Sequence, residues 1–228
     1  MSPSSPDDCV QTLCVAADNA KLLKRRRFLQ FGGAAAGAAI ATVGLSETAE
    51  AAPTGLRQQM SLLRRHENDH VMGLVAALGS AARPKPTFQG LLQPNLNSFL
   101  TVAQALENTG VGAYLGAADF ILDGDYLASA ASIALIEARH AGFLNSLRSQ
   151  PMTLNAGGSE VSFESPLSVM QVSAAAGPFI ANLNGGPPVS YDNVRSAAND
   201  ISILNYALAL EYLEAEFYNI NVPIFYSV

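Results

Sequence analysis

Two stretches of this chain set glutamate and histidine at the same spacing: HENDH at residues 66–70 and IEARH at residues 136–140. Each contains Glu-x-x-His, as Glu67 with His70 and Glu137 with His140, and between them they hold all three histidines of the 228 residues. On a helix, residues three apart share a face about 5–6 Å from one another, so each pair can direct a carboxylate oxygen and an imidazole nitrogen at one point. A single pair of this kind is weak evidence for a metal ligand set. Both pairs, however, interrupt apolar helical patterns, where an ionised group is strongly unfavourable unless it is paired or bound to a cation.

The elements that must position these residues are four helices, expected at about 56–79, 97–118, 125–147 and 200–218. The buried line of the first is Met60, Leu63, Glu67, His70, Leu74 and Ala77, and that of the third is Tyr126, Ala130, Ile133, Glu137, His140, Leu144 and Leu147. The second presents Leu100, Ala103, Glu107, Gly110, Tyr114 and Ala117, and the last presents Leu204, Leu208, Glu211, Ala215 and Tyr218. Every line is broken near its middle by glutamate. Facing carboxylates repel or take up protons, and a pair of divalent cations relieves both. Two Glu-x-x-His helices plus two helices giving one Glu each is the established ligand pattern of di-iron and di-manganese carboxylate bundles. The expected metal ligands are Glu67, His70, Glu107, Glu137, His140 and Glu211.

Spacing adds a second regularity. Tyr114 follows Glu107 by seven residues and Tyr218 follows Glu211 by seven, two turns on the same face. The tyrosines are expected to hydrogen-bond ligand carboxylates, with buried core aromatics as the plainer alternative. On EYLEAE, Glu211 is preferred as ligand because it shares the Glu-x6-Tyr relation. Glu214 lies about 60° around the helix as an additional or supporting carboxylate, and Glu216 falls on the opposite side. His66 and Asp69 are read as pointing away from the buried line, His66 as a surface histidine.

Composition narrows the function classes. The net charge is −6, charged residues make up 14%, and no basic cluster lies beyond the N-terminal region, which argues against nucleic acid as a partner. KRRRFLQ at residues 24–30, the Gly/Ala-rich apolar run after it and the small-residue site Ala49-Glu50-Ala51 form a signal-peptide pattern. Arg25-Arg26-Arg27-Phe28-Leu29 resembles a twin-arginine signal. Residues 1–51 are therefore expected to be cleaved, with an uncleaved anchor as the alternative. Residues 52–228 would remain as one exported periplasmic or secreted domain with no stable membrane span. Cys9 and Cys14 both fall in the first segment. Residues 148–199, rich in Gly, Pro, Ser and Asn, read as a long loop with a short helix near 165–176.

Three stretches, ILNYALALEYLEAEFY (203–218), FLTVAQALENTGVGAYLGAA (99–118) and ASIALIEARHAGFLNSL (131–147), resemble bacterial ferritin-like domain proteins related to the plant desiccation-related proteins. FESPLSVMQVSAAAGPFI (163–180) resembles the segment after their last bundle helix. The resemblance implies an all-α, ferritin-like four-helix bundle around a dinuclear centre, with the first family helix moved to the C-terminus. Link lengths agree with such a permutation: 80–96 and 148–199 can each cross a bundle, whereas 119–124 suits an antiparallel neighbour. A helix exchanged between two subunits, and hence a homodimer, satisfies the same lengths. Carboxylate and imidazole donors suit Fe or Mn, and two Fe ions are expected ahead of Mn. The family resemblance implies redox chemistry with O2 or peroxide, of the ferroxidase, peroxidase or catalase type. The alternatives are a non-enzymatic, metal-binding, stress-protective envelope protein and, last, a metal-free bundle with protonated carboxylates.

Overall fold

A computed structural model describes residues 55–227. The expected export segment, its arginines and both cysteines lie outside the described residues. The elements are α1 (Leu56–Leu78), β1 (Thr87–Phe88), α2 (Leu96–Ala118), α3 (Gly124–Leu147), α4 (Val169–Ala176), β2 (Ile180–Asn182) and α5 (Ala197–Tyr226). The chain is mostly helical, as the apolar periodicity requires. The two short strands pair antiparallel, Thr87 opposite Asn182 and Phe88 opposite Ile180.

Local chemistry sets the helix ends. Asn95, Asp123 and Ser196 each accept a hydrogen bond from a backbone N–H of the first turn they precede. Ser168 and Gln171 form a reciprocal capping box at α4. Gly79 ends α1 at φ +56°, a conformation that a side chain disfavours.

α1 packs along α5, and α2 along α3. Asn68, midway along α1, pairs with Asn219 in the last third of α5, and Asn205 reaches Ala81 and Arg83 just past the end of α1, so α1 and α5 are antiparallel. Phe99 stacks on Phe217 and Phe225 while Tyr114 reaches Glu211, so α5 is antiparallel to α2 as well. Thus α1 and α2 run parallel and residues 79–95 travel the bundle's length between them. Buried polar side chains pin the links. Asn221 accepts from the Gln93 N–H and donates to the Leu91 carbonyl. Asp200 accepts the N–H groups of Leu122 and Asp123, which fixes the short α2–α3 turn.

The last helix extends past its expected end at 218 to Tyr226, despite Pro223 within it. The gain lies in packing. Val222 is fully buried, and Phe225 and Tyr226 lie 5.5 and 6.1 Å from the Phe99 ring. Apolar burial of about 1.5–3 kcal/mol per large side chain offsets the proline's lost helical hydrogen bond. The buried lines otherwise follow expectation, except that Leu100, Ala77, Tyr126 and Leu147 are only half-buried and His70 keeps 10% of its side chain exposed.

The segment after α3 holds α4 and also docks on the bundle. The Leu167 N–H donates to the Gly112 carbonyl at 2.9 Å. A Cβ on Gly116 would stand 2.0 Å from the Leu167 carbonyl oxygen, so only glycine permits this approach.

The core divides in two. One apolar cluster, with Met60, Phe99, Leu144 and Phe217, fills one end of the bundle; the other, with Leu74, Ile133, Leu204 and Leu208, fills the opposite end. Between them each long helix contributes a buried glutamate. Among the described residues no helix is long and apolar enough to cross a membrane.

Candidate metal centre

Mid-helix placement, and the one-face geometry of three-residue spacing, bring all six expected ligands into one layer. Glu67, Glu107, Glu137 and Glu211 each have 0% of their surface exposed, and His140 has 7%. The donors fall into two overlapping groups: Glu67, Glu107, Glu137 and His140, and Glu67, His70, Glu137 and Glu211. Within each group one donor atom per residue lies within 4.8 Å of all the others. Glu67 and Glu137, the carboxylates of the two Glu-x-x-His pairs, belong to both groups. Glu107 with His140 complete one end, and Glu211 with His70 the other.

The distances are those of donors around a common centre. His70 Nδ1 lies 3.2 Å from Glu67 Oε2, 3.1 Å from Glu137 Oε1 and 3.2 Å from Glu211 Oε2. His140 Nδ1 lies 2.9 Å from Glu67 Oε1 and 3.2 Å from Glu107 Oε2. Oxygen and nitrogen donors held about 2.1 Å from one ion at right angles stand about 3.0 Å apart.

The tyrosines cross over. Tyr114, on the helix of Glu107, donates to Glu211 Oε1 at 2.5 Å; Tyr218, on the helix of Glu211, donates to Glu107 Oε1 at 2.6 Å. In both carboxylates Oε1 is engaged by the phenol, which leaves Oε2 turned toward the imidazole.

Burial sets the carboxylates against one another and the imidazoles in their favour. Burial and the repulsion of Glu67, Glu107 and Glu211 raise Glu137 well above the usual carboxylate range. Burial, then Glu137, Glu107 and Glu211, do the same to Glu214. Burial also raises Glu211, against the attraction of His70. Burial alone would raise Glu67, but His70 and His140 outweigh it and hold it low. Burial alone would lower the two imidazoles, yet Glu211 and Glu67 raise His70, and Glu107 and Glu67 raise His140, well above 6.5. Tyr114 and Tyr218 are raised by burial and by the carboxylates they face, so both keep their protons and act as donors.

Three buried carboxylate oxygens, Glu67 Oε1 and both oxygens of Glu137, have no hydrogen-bond partner. Two of them lie about 3 Å from an imidazole nitrogen without the alignment of a hydrogen bond. Buried polar atoms are seldom left so. A donor set of four carboxylates and two imidazoles, with partnerless oxygens on the two shared glutamates, fits a pair of hard-to-intermediate divalent cations.

Neighbouring residues divide. Asp69 points outward beside Arg65 at 4.0 Å, and Glu216 is half-buried against Lys85, as their positions implied. Glu214 is buried, and its Oε1 and Glu137 Oε2 both border Gly110. A Cβ there would stand 3.5 and 2.9 Å from them. Glycine thus makes room for two carboxylates. His66 corrects expectation: it is half-buried rather than superficial, and its Nδ1 lies 3.0 Å from His140 Nε2 with the two rings 8° from parallel. Burial, followed by His140, Arg65 and His70, lowers its pKa to about 4. The signal was present in HENDH, since His66 precedes His70 by four residues and shares its side of α1.

Comparison with known families matches the chain to the ferritin-like domain over residues 23–150 and 199–223. The matched residues include all six donors, omit most of the long α3–α5 connection, and begin within the segment expected to be an export signal. No curated protein and no solved structure matches the chain.

Proposed function

This chain belongs to the ferritin-like domain family, and on that premise we propose that it is an exported dinuclear metal protein that reacts with O2 or peroxide. The observation that carries the reading is the pair of four-donor groups sharing Glu67 and Glu137. Glu67 and Glu137 would serve both ions, Glu107 and His140 one, and Glu211 and His70 the other. These residues would hold two iron or two manganese ions, which, when bound, would supply the electrons for reduction of O2 or peroxide.

The chain's own residues prepare the site. Tyr114 and Tyr218 orient the outer carboxylates through Oε1. Apolar clusters above and below the layer keep bulk water out, which strengthens every charge interaction within it. Glu214, whose burial favours the protonated carboxyl, provides a proton-bearing group next to Glu137 across Gly110.

The remaining parts of the proposal rest on sequence. Residues 1–51 act as a twin-arginine-type signal that delivers the protein to the periplasm or beyond, as in the desiccation-related type. The packing of α1 on α5 and α2 on α3 supports a permuted order in which the closing helix takes the place of the first family helix. Exchange of that helix within a homodimer is the competing arrangement, and the mass of the metal-bound protein in solution separates the two.

Anaerobic loading with Fe2+ followed by rapid mixing with O2 or peroxide tests the chemistry. Absorbance from oxidised iron, formed faster than in free Fe2+ and lost in Glu137→Ala, is expected. Bound iron that remains unoxidised would replace the redox reading with that of a metal-stabilised protective protein.

A further inference from the structure

We propose that the two metal positions are inequivalent and that His66 sets the difference, as a positioning residue for His140. The inference rests on the dinuclear reading above. The six-donor carboxylates and the tyrosines obey a twofold relation: two shared glutamates, two outer glutamates, and two phenols crossing between α2 and α5, with Glu214, opposite Gly110, standing outside it. The imidazoles break it. His140 presents Nδ1 to Glu67 and Glu107 and meets His66 Nδ1 with its other nitrogen, at 3.0 Å. His70 presents Nδ1 to Glu67, Glu137 and Glu211, but among the described residues its Nε2 has no hydrogen-bond partner. The residue on α3 that corresponds to His66, one before the shared glutamate, is Ile136, which can neither donate nor accept.

The chemistry follows from which nitrogen holds the proton. With its proton on Nε2, neutral His66 offers the Nδ1 lone pair as an acceptor. His140 must then carry its proton on Nε2, which leaves its own Nδ1 lone pair directed at Glu67 and Glu107. One contact fixes tautomer and ring orientation together. Among the described residues nothing constrains His70 in this way. Outer partners of ligating histidines are worth about 10–100-fold in metal affinity. The Glu107/His140 position is therefore the tighter and fills first; the Glu211/His70 position fills second and exchanges faster.

Stepwise titration of the full chain with Co2+, followed by its visible absorption and by calorimetry, tests this. The wild type should bind two ions with dissociation constants separated by about tenfold or more. Glu107→Gln should remove the tight step and Glu211→Gln the weak one. His66→Ala should weaken the tight step by about 10–100-fold and leave the weak step unchanged, and His66→Gln, whose Oε1 can accept the same hydrogen bond, should restore it. Loss of affinity in both steps alike, no change in the tight step, or failure of Gln to rescue would overturn the role of His66. Absence of any Co2+ binding by the wild type would overturn the dinuclear reading itself, a separate and distinguishable failure.

Discussion

Replacing Glu137 by glutamine should stabilise the metal-free protein while destroying its response to metal. Glu137 is fully buried, both of its oxygens lack a hydrogen-bond partner, and Glu67, Glu107 and Glu211 repel its charge. Its one close cation, His70, keeps Glu67 and Glu211 at 3.2 Å each when Glu137 is gone. Glutamine fills the same volume, cannot ionise and brings an N–H2 donor among carboxylates. Relief of an unsatisfied buried polar group is worth about 1–3 kcal/mol. For a domain of this size that is a rise in Tm of about 2–12 °C. The metal-bound state moves the other way. An ion at about 100 times its Kd stabilises a fold by about 2.7 kcal/mol, and Glu137 belongs to both donor groups. Thermal unfolding with chelator and with excess Mn2+ reads both effects. The variant should melt higher than wild type in chelator and shift little with Mn2+, whereas wild type should shift upward. A variant that melts lower in chelator and still responds fully to Mn2+ would make Glu137 a structural residue and refute the reasoning.

Other consequences are independent of that one. Metal-free stability should fall as pH rises above 6.5: the raised His70 and His140 contribute below 6.5 and lose that contribution through their higher folded values, and Glu137, Glu211 and Glu214 act in the same direction above 4.5. His66, lowered to about 4, opposes this between about 4 and 6.5, and Glu67, held low, opposes it below 4.5. Metal displaces those protons, so the Tm gain on adding Mn2+ should grow with pH; a gain independent of pH in matched melts would contradict it. Glu211→Gln should reduce bound metal to about one ion per chain and Glu214→Gln should leave it at about two, measured by elemental analysis; the inverse result would exchange their roles. Gly116→Ala should cost about 1–3 kcal/mol in urea unfolding with metal content unchanged, because its Cβ meets the Leu167 backbone oxygen at 2.0 Å. Gly112→Ala, facing the flexible Leu167 side chain, should cost less.

The helices and the layer of donors were legible because burial makes them periodic. A glutamate in place of an apolar residue on a 3.6-residue line is visible without coordinates, and four such lines fix both the bundle and the polar belt across it. The crossing of the tyrosines was not legible. Spacing placed Tyr114 on the face of Glu107, but its phenol spans to Glu211 on another helix, a distance that no single helix encodes. His66 lies beside the buried line of its own helix and so reads as a surface residue, whereas its contact is with His140 on α3. The extension of α5 past Tyr218 was hidden by Pro223, a local helix breaker overruled by the aromatic cluster around Phe99. Leu167, in a segment read as loop, meets Gly112 and Gly116 at a spacing that suggests close approach only once the partner is known.

The most direct test of the central claim is the metal content of residues 52–228, purified without chelators and measured by mass spectrometry of the elements. The account predicts about two iron or manganese ions per chain, retained on gel filtration and lost in Glu137→Ala. A stable helical protein carrying neither metal would contradict it, and would leave the buried carboxylates of this bundle neutralised by protons alone.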